Sequence, residues 1–359
     1  VDTKYLLALN CHPKIGGQTL KKMLAVYDSP ESLWSDSQQG LLQKLGEKLT
    51  ALVLEARSVY NPENEIEKLA SFGVGYITIF DKGYPKLLNE AYDCPAILYI
   101  KGNAKILNNL SLGVVGSRKY TVYGKKLSYK LSKECAESGI TIISGLALGV
   151  DAFAHQAALD ANGKTVGVLG CGLDKIYPVS NFHLGQEIIE KGGAIISEFP
   201  LGVPPMKQNF PARNRIIAGL SAGVLVIEAA EKSGALITAY QALEYSREVF
   251  ALPGDIDSEN SIGTNKLIQE GAKLVLSVDD ILKELNIEKK VSEQKVKEIV
   301  PKSADEQIII NLLSQKDCLI DELIKQSNLN IVAVNSTLTM LEMKGLVTNI
   351  GGGCYRLSR

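Results

Sequence analysis

The rhythm of hydrophobic and polar positions changes three times along the chain. Up to Val59 the apolar side chains recur at helical spacing. One amphipathic run opens at Ile15-Gly16-Gly17-Gln18-Thr19 and reaches Tyr27, and a second opens at Leu45-Gly46-Glu47-Lys48-Leu49 and reaches Val59. From Gly73 to about Leu285 short, β-branched, nearly all-apolar runs alternate with helical stretches. These runs are Leu112 to Val115, Ile140 to Ile143, Val166 to Leu169, Ala194 to Ile196, Val224 to Ile227 and Val249 to Leu252. Strands apolar on both sides and spaced by helices predict a parallel sheet covered on both faces, a doubly wound α/β domain. Beyond Leu285 a charged, apolar-poor stretch ends at Pro301-Lys302-Ser303 and reads as a linker. Three short helical patterns follow, Gln307 to Leu313, Ile320 to Gln326 and Val332 to Lys344, and then a hairpin tipped by Gly351-Gly352-Gly353. That order predicts a winged helix. The expected division is a helical domain at 1–62, the α/β domain at 63–286, a linker at 287–303 and a winged-helix domain at 304–359.

Composition narrows the classes of function. With 45% hydrophobic and 22% charged residues, the 359-residue chain is neither disordered nor fibrous. Lys and Arg number 39 against 40 Asp and Glu, a net charge of -1, which excludes a globally basic nucleic-acid coat and leaves room for a local basic groove. The six cysteines show no CxxC spacing and the three histidines do not cluster with them, so no metal is expected. Such thiols suit a reducing cytoplasm. No leader pattern opens the chain, and no apolar run approaches the ~20 residues that span a bilayer, so a cytoplasmic protein without a membrane partner is expected.

In an open α/β sheet the chemistry lies in the loops that leave the carboxyl ends of the strands. The first, Gly116-Ser117-Arg118-Lys119-Tyr120-Thr121, departs from the dinucleotide fingerprint, and no acidic residue ends the next strand, so no cofactor is expected. A glycine, a hydroxyl, a guanidinium and a helix start remain, a set that suits a phosphate. The second loop, Ser144 to Asp151, contains Gly145 and Gly149, and the third, Gly170 to Pro178, adds Lys175. The fourth, Phe210-Pro211-Ala212-Arg213-Asn214-Arg215, sets two guanidiniums around an amide, and the fifth contains Ser233-Gly234-Ala235-Leu236-Ile237-Thr238. Their convergence predicts a crevice for a polyanion. No nucleophile-and-base pair or aspartate cluster accompanies it, and His155, five residues into a helix, reads as a packing residue. The two glycine-opened helical runs near the N-terminus fit either a degenerate pair of helix-hairpin-helix modules, with Lys14, Lys21, Lys22, Lys44 and Lys48 toward DNA, or an ordinary helical bundle.

Taken in order, the motifs resemble the DNA processing protein A (DprA, also called Smf) family. The resemblance covers about Ile77 to Leu285. It runs through Tyr84-Pro85-Lys86-Leu87-Leu88, Pro95-Ala96-Ile97-Leu98-Tyr99, Gly116-Ser117-Arg118, Ser144-Gly145-Leu146-Ala147 and Gly172-Leu173-Asp174. It continues through Phe210-Pro211-Ala212-Arg213-Asn214-Arg215 and Ser233 to Thr238, and ends at Ala251-Leu252-Pro253-Gly254. The resemblance implies a non-enzymatic protein that binds single-stranded DNA through an extended Rossmann-like domain and dimerises through it. It also implies a protein that helps a RecA-type recombinase assemble on incoming strands during natural transformation. On this reading Arg118, Lys175, Arg213 and Arg215 contact phosphates, with the Asn214 amide between the last two. Gly116, Ser117, Gly145, Ser233 and Gly234 supply close backbone approach and donors, and Tyr120 and Phe210 are candidates for stacking on bases. For the homodimer, Ala239 to Tyr245 and Leu274-Val275-Leu276 each fit either a hydrophobic edge or ordinary core, and the sequence selects no interface. From Asp305 to Arg359 five cations face six anions, so the winged helix is expected to contact protein or to assist DNA binding weakly. Two alternatives remain on the same scaffold: a phosphoribohydrolase-like enzyme, whose motif carboxylate is missing near Pro253-Gly254-Asp255, and a sensor of a small nucleotide.

Overall fold

The six apolar runs form the middle of one sheet in the computed structural model, which describes residues 2–287, 303–344 and 346–357. Five helices precede it: α1 (Lys4–Asn10), α2 (Gly17–Leu24), α3 (Pro30–Ser35), α4 (Gln38–Val59) and α5 (Pro62–Ser71). Next come β1 (Gly75–Thr78), α6 (Lys86–Glu90) and β2 (Ile97–Gly102). Strands and helices then alternate through β3 (Ser111–Val115), α7 (Val122–Glu137), β4 (Thr141–Ser144), α8 (Val150–Asp160), β5 (Thr165–Leu169) and α9 (Phe182–Glu190). The alternation continues with β6 (Ala194–Ser197), α10 (Asn209–Leu220), β7 (Gly223–Val226), α11 (Gly234–Glu244), β8 (Glu248–Ala251), α12 (Glu259–Gln269), β9 (Lys273–Leu274) and α13 (Val278–Glu284).

The strand order is β1-β2-β6-β5-β4-β3-β7-β8-β9. From β6 to β9 the pairs are parallel, as the six runs predict, and β1 with β2 and β2 with β6 add an antiparallel edge. A strand buried on both faces has the same apolar signature whichever way its neighbour runs, so the pattern at Ile97 to Ile100 could not give direction. Successive strands lie to one side of β3 as far as β6 and to the other side from β7 onward. Between β3 and β7 the crossovers therefore diverge and open a crevice at the carboxyl rim.

Both faces of the sheet are covered. Leu112, Val114 and Ile142 pack with Leu131 of α7 and Ala154 of α8, while Val166, Val168 and Val224 pack with Ile216 of α10 and Ala239 of α11. The N-terminal helices share a core with the sheet edge, since Leu6, Leu9 and Leu20 cluster with Tyr99, Leu169 and Ile195. In α4 the helix is broken at Gly46 (φ 75°), the glycine expected to open the second helical run. Of the five lysines that could face DNA there, Lys21 donates to Cys94 Sγ at 2.9 Å and Lys44 pairs with Asp36 at 3.1 Å. Those two are engaged within the protein.

The chain divides into two compact units, Val1–Lys289 and Lys290–Arg359. In the second, α14 (Ala304–Gln315), β10 (Cys318–Leu319), α15 (Ile320–Ser327), α16 (Ile331–Met343), β11 (Val347–Gly351) and β12 (Cys354–Leu357) make three helices and an antiparallel sheet ordered β10-β12-β11. This is the expected winged helix, with β10 in addition. The three glycines at the hairpin tip all take positive φ, a conformation open to glycine at no steric cost. Of the expected linker at 287–303, residues 288–302 lie outside the described residues. Lys344, just past α16, pairs with Glu306. Among the described residues no helix is long and apolar enough to cross a membrane.

Candidate nucleic-acid interface

The crevice between β3 and β7 holds a cavity of about 490 Å³, lined by Gly116, Ser117, Arg118, Arg213, Asn214, Ser233 and Gly234 among others. Its walls are built from the loops that the sequence singled out. Gly116 lies so close to α8 that a Cβ there would come within 2.7 Å of the Val150 side chain, so any larger residue would push the first loop off the helix. Thr121 caps α7 by accepting from Gly124 N at 3.1 Å, and Glu228, buried beyond β7, accepts from Thr121 N at 3.0 Å. The rims of β3 and β7 are thereby tied together. Across the cavity Ser233 caps α11, its hydroxyl accepting from Ala235 N at 3.2 Å, and Asn214 Nδ2 donates to Gly234 O at 3.2 Å.

Arg213 forms part of the floor. It is 4% exposed, Nη1 donates to Val168 O at 2.6 Å, and burial pushes its guanidinium down to about 10, so it still carries its charge at neutral pH. A Cβ on Gly145 would sit 1.7 Å from that same Nη1, so any larger residue there would displace the guanidinium. Asp151, also buried, accepts from Gly145 N at 3.1 Å and Ala147 N at 3.3 Å; burial raises its carboxyl and the charge of Arg213 opposes the rise. His155 is fully buried with Nδ1 at 2.6 Å from Thr165 Oγ1, and burial lowers it to about 3, the packing role expected of it.

An aromatic stack leads away from the cavity. The Arg118 guanidinium lies 5.3 Å from the Phe210 ring centre, and Phe210 stacks on Tyr177 at 6.0 Å with the planes 30° apart. Arg118, Phe210, Arg213, Gly145 and Tyr177 line a second, smaller depression, and Tyr177 also borders a third that contains Lys175. A string of concavities therefore follows the rim from Ser233 to Lys175. Tyr120 packs edge-on to Phe153 at 4.7 Å and stays 44% exposed.

Two of the expected phosphate contacts are engaged within the protein. Arg213 forms part of the floor, with one nitrogen already bonded to Val168 O. Arg215 is not at the rim: it pairs with Glu198 and donates to Asp93 O at 2.8 Å. The physical reason is that 210–215 lie within the first turns of α10 and not in a loop, and residues two apart on a helix point to opposite sides. Pro211, at home in a first turn, carried that signal. Residues that sequence reasoning did not single out are Lys119 and Lys232, both exposed at the cavity, and Tyr177. The lysines sit inside quoted loops; the tyrosine's partner is 33 positions away, and nothing local reveals it.

The family model for DNA recombination-mediator protein A matches residues 75–286. The chain belongs to this family. A second family model, the DprA winged helix domain, matches residues 293–353. Protein Smf of Escherichia coli (strain K12) is 49% identical over 202 residues, 56% of this chain and 54% of that protein, so the match spans about half the relative's length. Among solved structures, DNA processing protein A from Streptococcus pneumoniae is 38% identical with a TM-score of 0.69, covering 79% of this chain and 98% of that one. DNA processing protein A from Helicobacter pylori, described for its single-stranded DNA binding mode, is 35% identical with a TM-score of 0.53, covering 59% and 95%. The resemblance read from the motifs therefore holds for the α/β core and extends to the winged helix.

Proposed function

We propose that this chain binds single-stranded DNA along the carboxyl rim of its sheet, without turnover. The observation that carries the reading is the meeting of Arg118, Arg213, Asn214, Ser233 and Gly234 around one cavity, continued by the Arg118–Phe210–Tyr177 stack. Phosphates suit the cationic, donor-rich cavity, and unpaired bases suit the stack. The single-stranded DNA binding mode described for the Helicobacter pylori relative supports the same ligand. In the cell the bound strand is handed to a RecA-type recombinase during natural transformation, by a cytoplasmic homodimer. Candidate surfaces for the second copy are Tyr240 and Leu243 on α11 and Leu274 with Leu276 at the sheet edge, all exposed, whereas Ala239, Ala242 and Val275 between them are core. We keep the four-part division at 1–62, 63–286, 287–303 and 304–359 as a proposal, with the first part packed on the second.

Band-shift titration of single strands against duplex of equal length is the decisive measurement. Four exposed cations, Arg118, Lys119, Lys175 and Lys232, flank the concavities, so log affinity against log salt is expected to slope at about -3 for single strands. Arg118→Ala should flatten the slope by about 0.7 and weaken binding about tenfold. Thermal stability should not change, because the side chain is exposed. A folded variant with unaltered affinity and slope removes Arg118 from the interface. Release of a free base from a nucleotide would replace the binding reading with the enzymatic one.

On the exposed face of α16, Asn335, Ser336, Thr339 and Met343 offer no cation, and Lys344 is paired. Truncation after Lys302 is therefore expected to leave single-strand affinity and salt slope unchanged in the same titration. A severe loss would make the winged helix a principal DNA contact.

A further inference from the structure

Away from the rim cavity, the N-terminal helices enclose a second depression, of about 470 Å³. Three aromatic side chains from different elements line it: Tyr5 of α1, Trp34 of α3, and Tyr60 in the turn between α4 and α5. The Tyr5 and Trp34 rings lie 6.0 Å apart, tilted by 35°. The turn is pinned because Asn61 Oδ1 accepts from Glu63 N at 2.9 Å and Asn64 N at 3.1 Å, with Pro62 in the first turn of α5.

Arg57 also lines the depression. Its Nη1 donates to Asp36 O at 2.9 Å and its Nη2 to Leu33 O at 2.8 Å, while Nε is buried with no acceptor. The plane is thus held fixed, and among the described residues no carboxylate stands within ion-pair distance of it. Asp36, the nearest candidate by sequence, is committed to Lys44 and Tyr27, and Glu63 to Lys4. Nothing in the packing of a small helical module requires three aromatics and an immobilised guanidinium around an open space.

A flat π-system is the ligand that such a set recognises, through stacking on the rings and on the guanidinium face. We propose that this depression takes one unpaired nucleobase of a single strand, as a contact additional to the rim cavity. A proline-rich peptide also docks on aromatic-lined grooves. Here, however, Arg57, Ser58, Asn61 and Glu63 make much of the lining polar, which suits the edges of a base better than a proline ring. The proposal rests on the single-strand reading above.

Trp34 is the chain's one tryptophan, so its emission reports on the depression in the full-length protein. Titration with oligothymidines of about 5 and about 40 nucleotides and with thymidine monophosphate separates the outcomes. The long strand is expected to quench Trp34, and the short strand and the mononucleotide to leave it unchanged. Tyr60→Leu should weaken the long strand about tenfold relative to the native chain, the loss of one stacked base, and leave the short strand's affinity unaltered. If the long strand binds with Trp34 emission unchanged and Tyr60→Leu without effect, this inference falls and the rim reading stands. If no oligonucleotide binds, both fall. Saturable quenching by thymidine monophosphate alone would make this a free-nucleotide site, and quenching by a polyproline peptide in place of DNA would make it a peptide site; either overturns the proposal. Should Tyr60→Leu fail to fold, the length dependence of quenching in the native chain still decides.

Discussion

Replacing Arg213 by alanine is expected to cost this protein at least about 3 kcal/mol of stability and about tenfold or more in single-strand affinity. The guanidinium is 4% exposed, so its loss opens a void under the rim, strips Val168 O of a charge-assisted donor and leaves Asp151 buried without its nearest countercharge. The effect reaches the ligand because the second loop rests on this side chain, with Gly145 directly against Nη1 and Asp151 gathering the amides of Gly145 and Ala147. Urea denaturation beside oligonucleotide titration checks both halves. Unaltered stability with a salt slope reduced by about 0.7 would make Arg213 the plain phosphate contact that the motif alone implies. Lysine at this position should restore little, since a compact ammonium lacks the planar fork that spans Val168 O and the cavity together.

What could be read in advance follows from how each signal is encoded. A buried parallel strand is a local run of apolar residues, so β3 through β8 were visible one at a time, and the loops after them could be lined up as one rim. Gly116, Ser117, Gly145, Ser233 and Gly234 came from that alignment. Which way a doubly buried strand runs is not local information, so nothing in Pro95-Ala96-Ile97-Leu98-Tyr99 says that β2 joins β6 antiparallel. The stack of Tyr177 on Phe210 joins a loop to the first turn of α10, 33 positions away. The aromatic depression of the N-terminal helices draws Tyr5, Trp34 and Tyr60 from three separate elements, and no spacing in the sequence brings them together.

Arg213 and Arg215 make the same point within one motif. Both stand in Phe210-Pro211-Ala212-Arg213-Asn214-Arg215, and sequence gave them one role. On α10 they separate, Arg213 to the cavity floor and Arg215 to the acidic pair Asp93 and Glu198. Arg215→Ala is therefore expected to lower stability by about 3 to 5 kcal/mol while leaving the salt slope for single strands unaltered. Its partner explains the size. Glu198 is mostly buried, its Oε2 accepts from Arg215 while its Oε1 is buried without a hydrogen-bond partner, and burial already raises its carboxyl against the pull of Arg215. Removing the guanidinium raises the folded-state value further above that of the unfolded chain. A carboxyl so raised destabilises the fold most when ionised, so the defect should be full at alkaline pH and shrink as pH falls through the raised value. Chemical denaturation of the variant and native chain at about pH 8 and about pH 5 tests this sign. Adding Glu198→Gln to Arg215→Ala should recover part of the loss at the higher pH, because the uncompensated charge is gone. If Arg215→Ala instead keeps its stability and binds with a flattened salt slope, the residue belongs to the DNA interface after all, and the acidic pair is incidental.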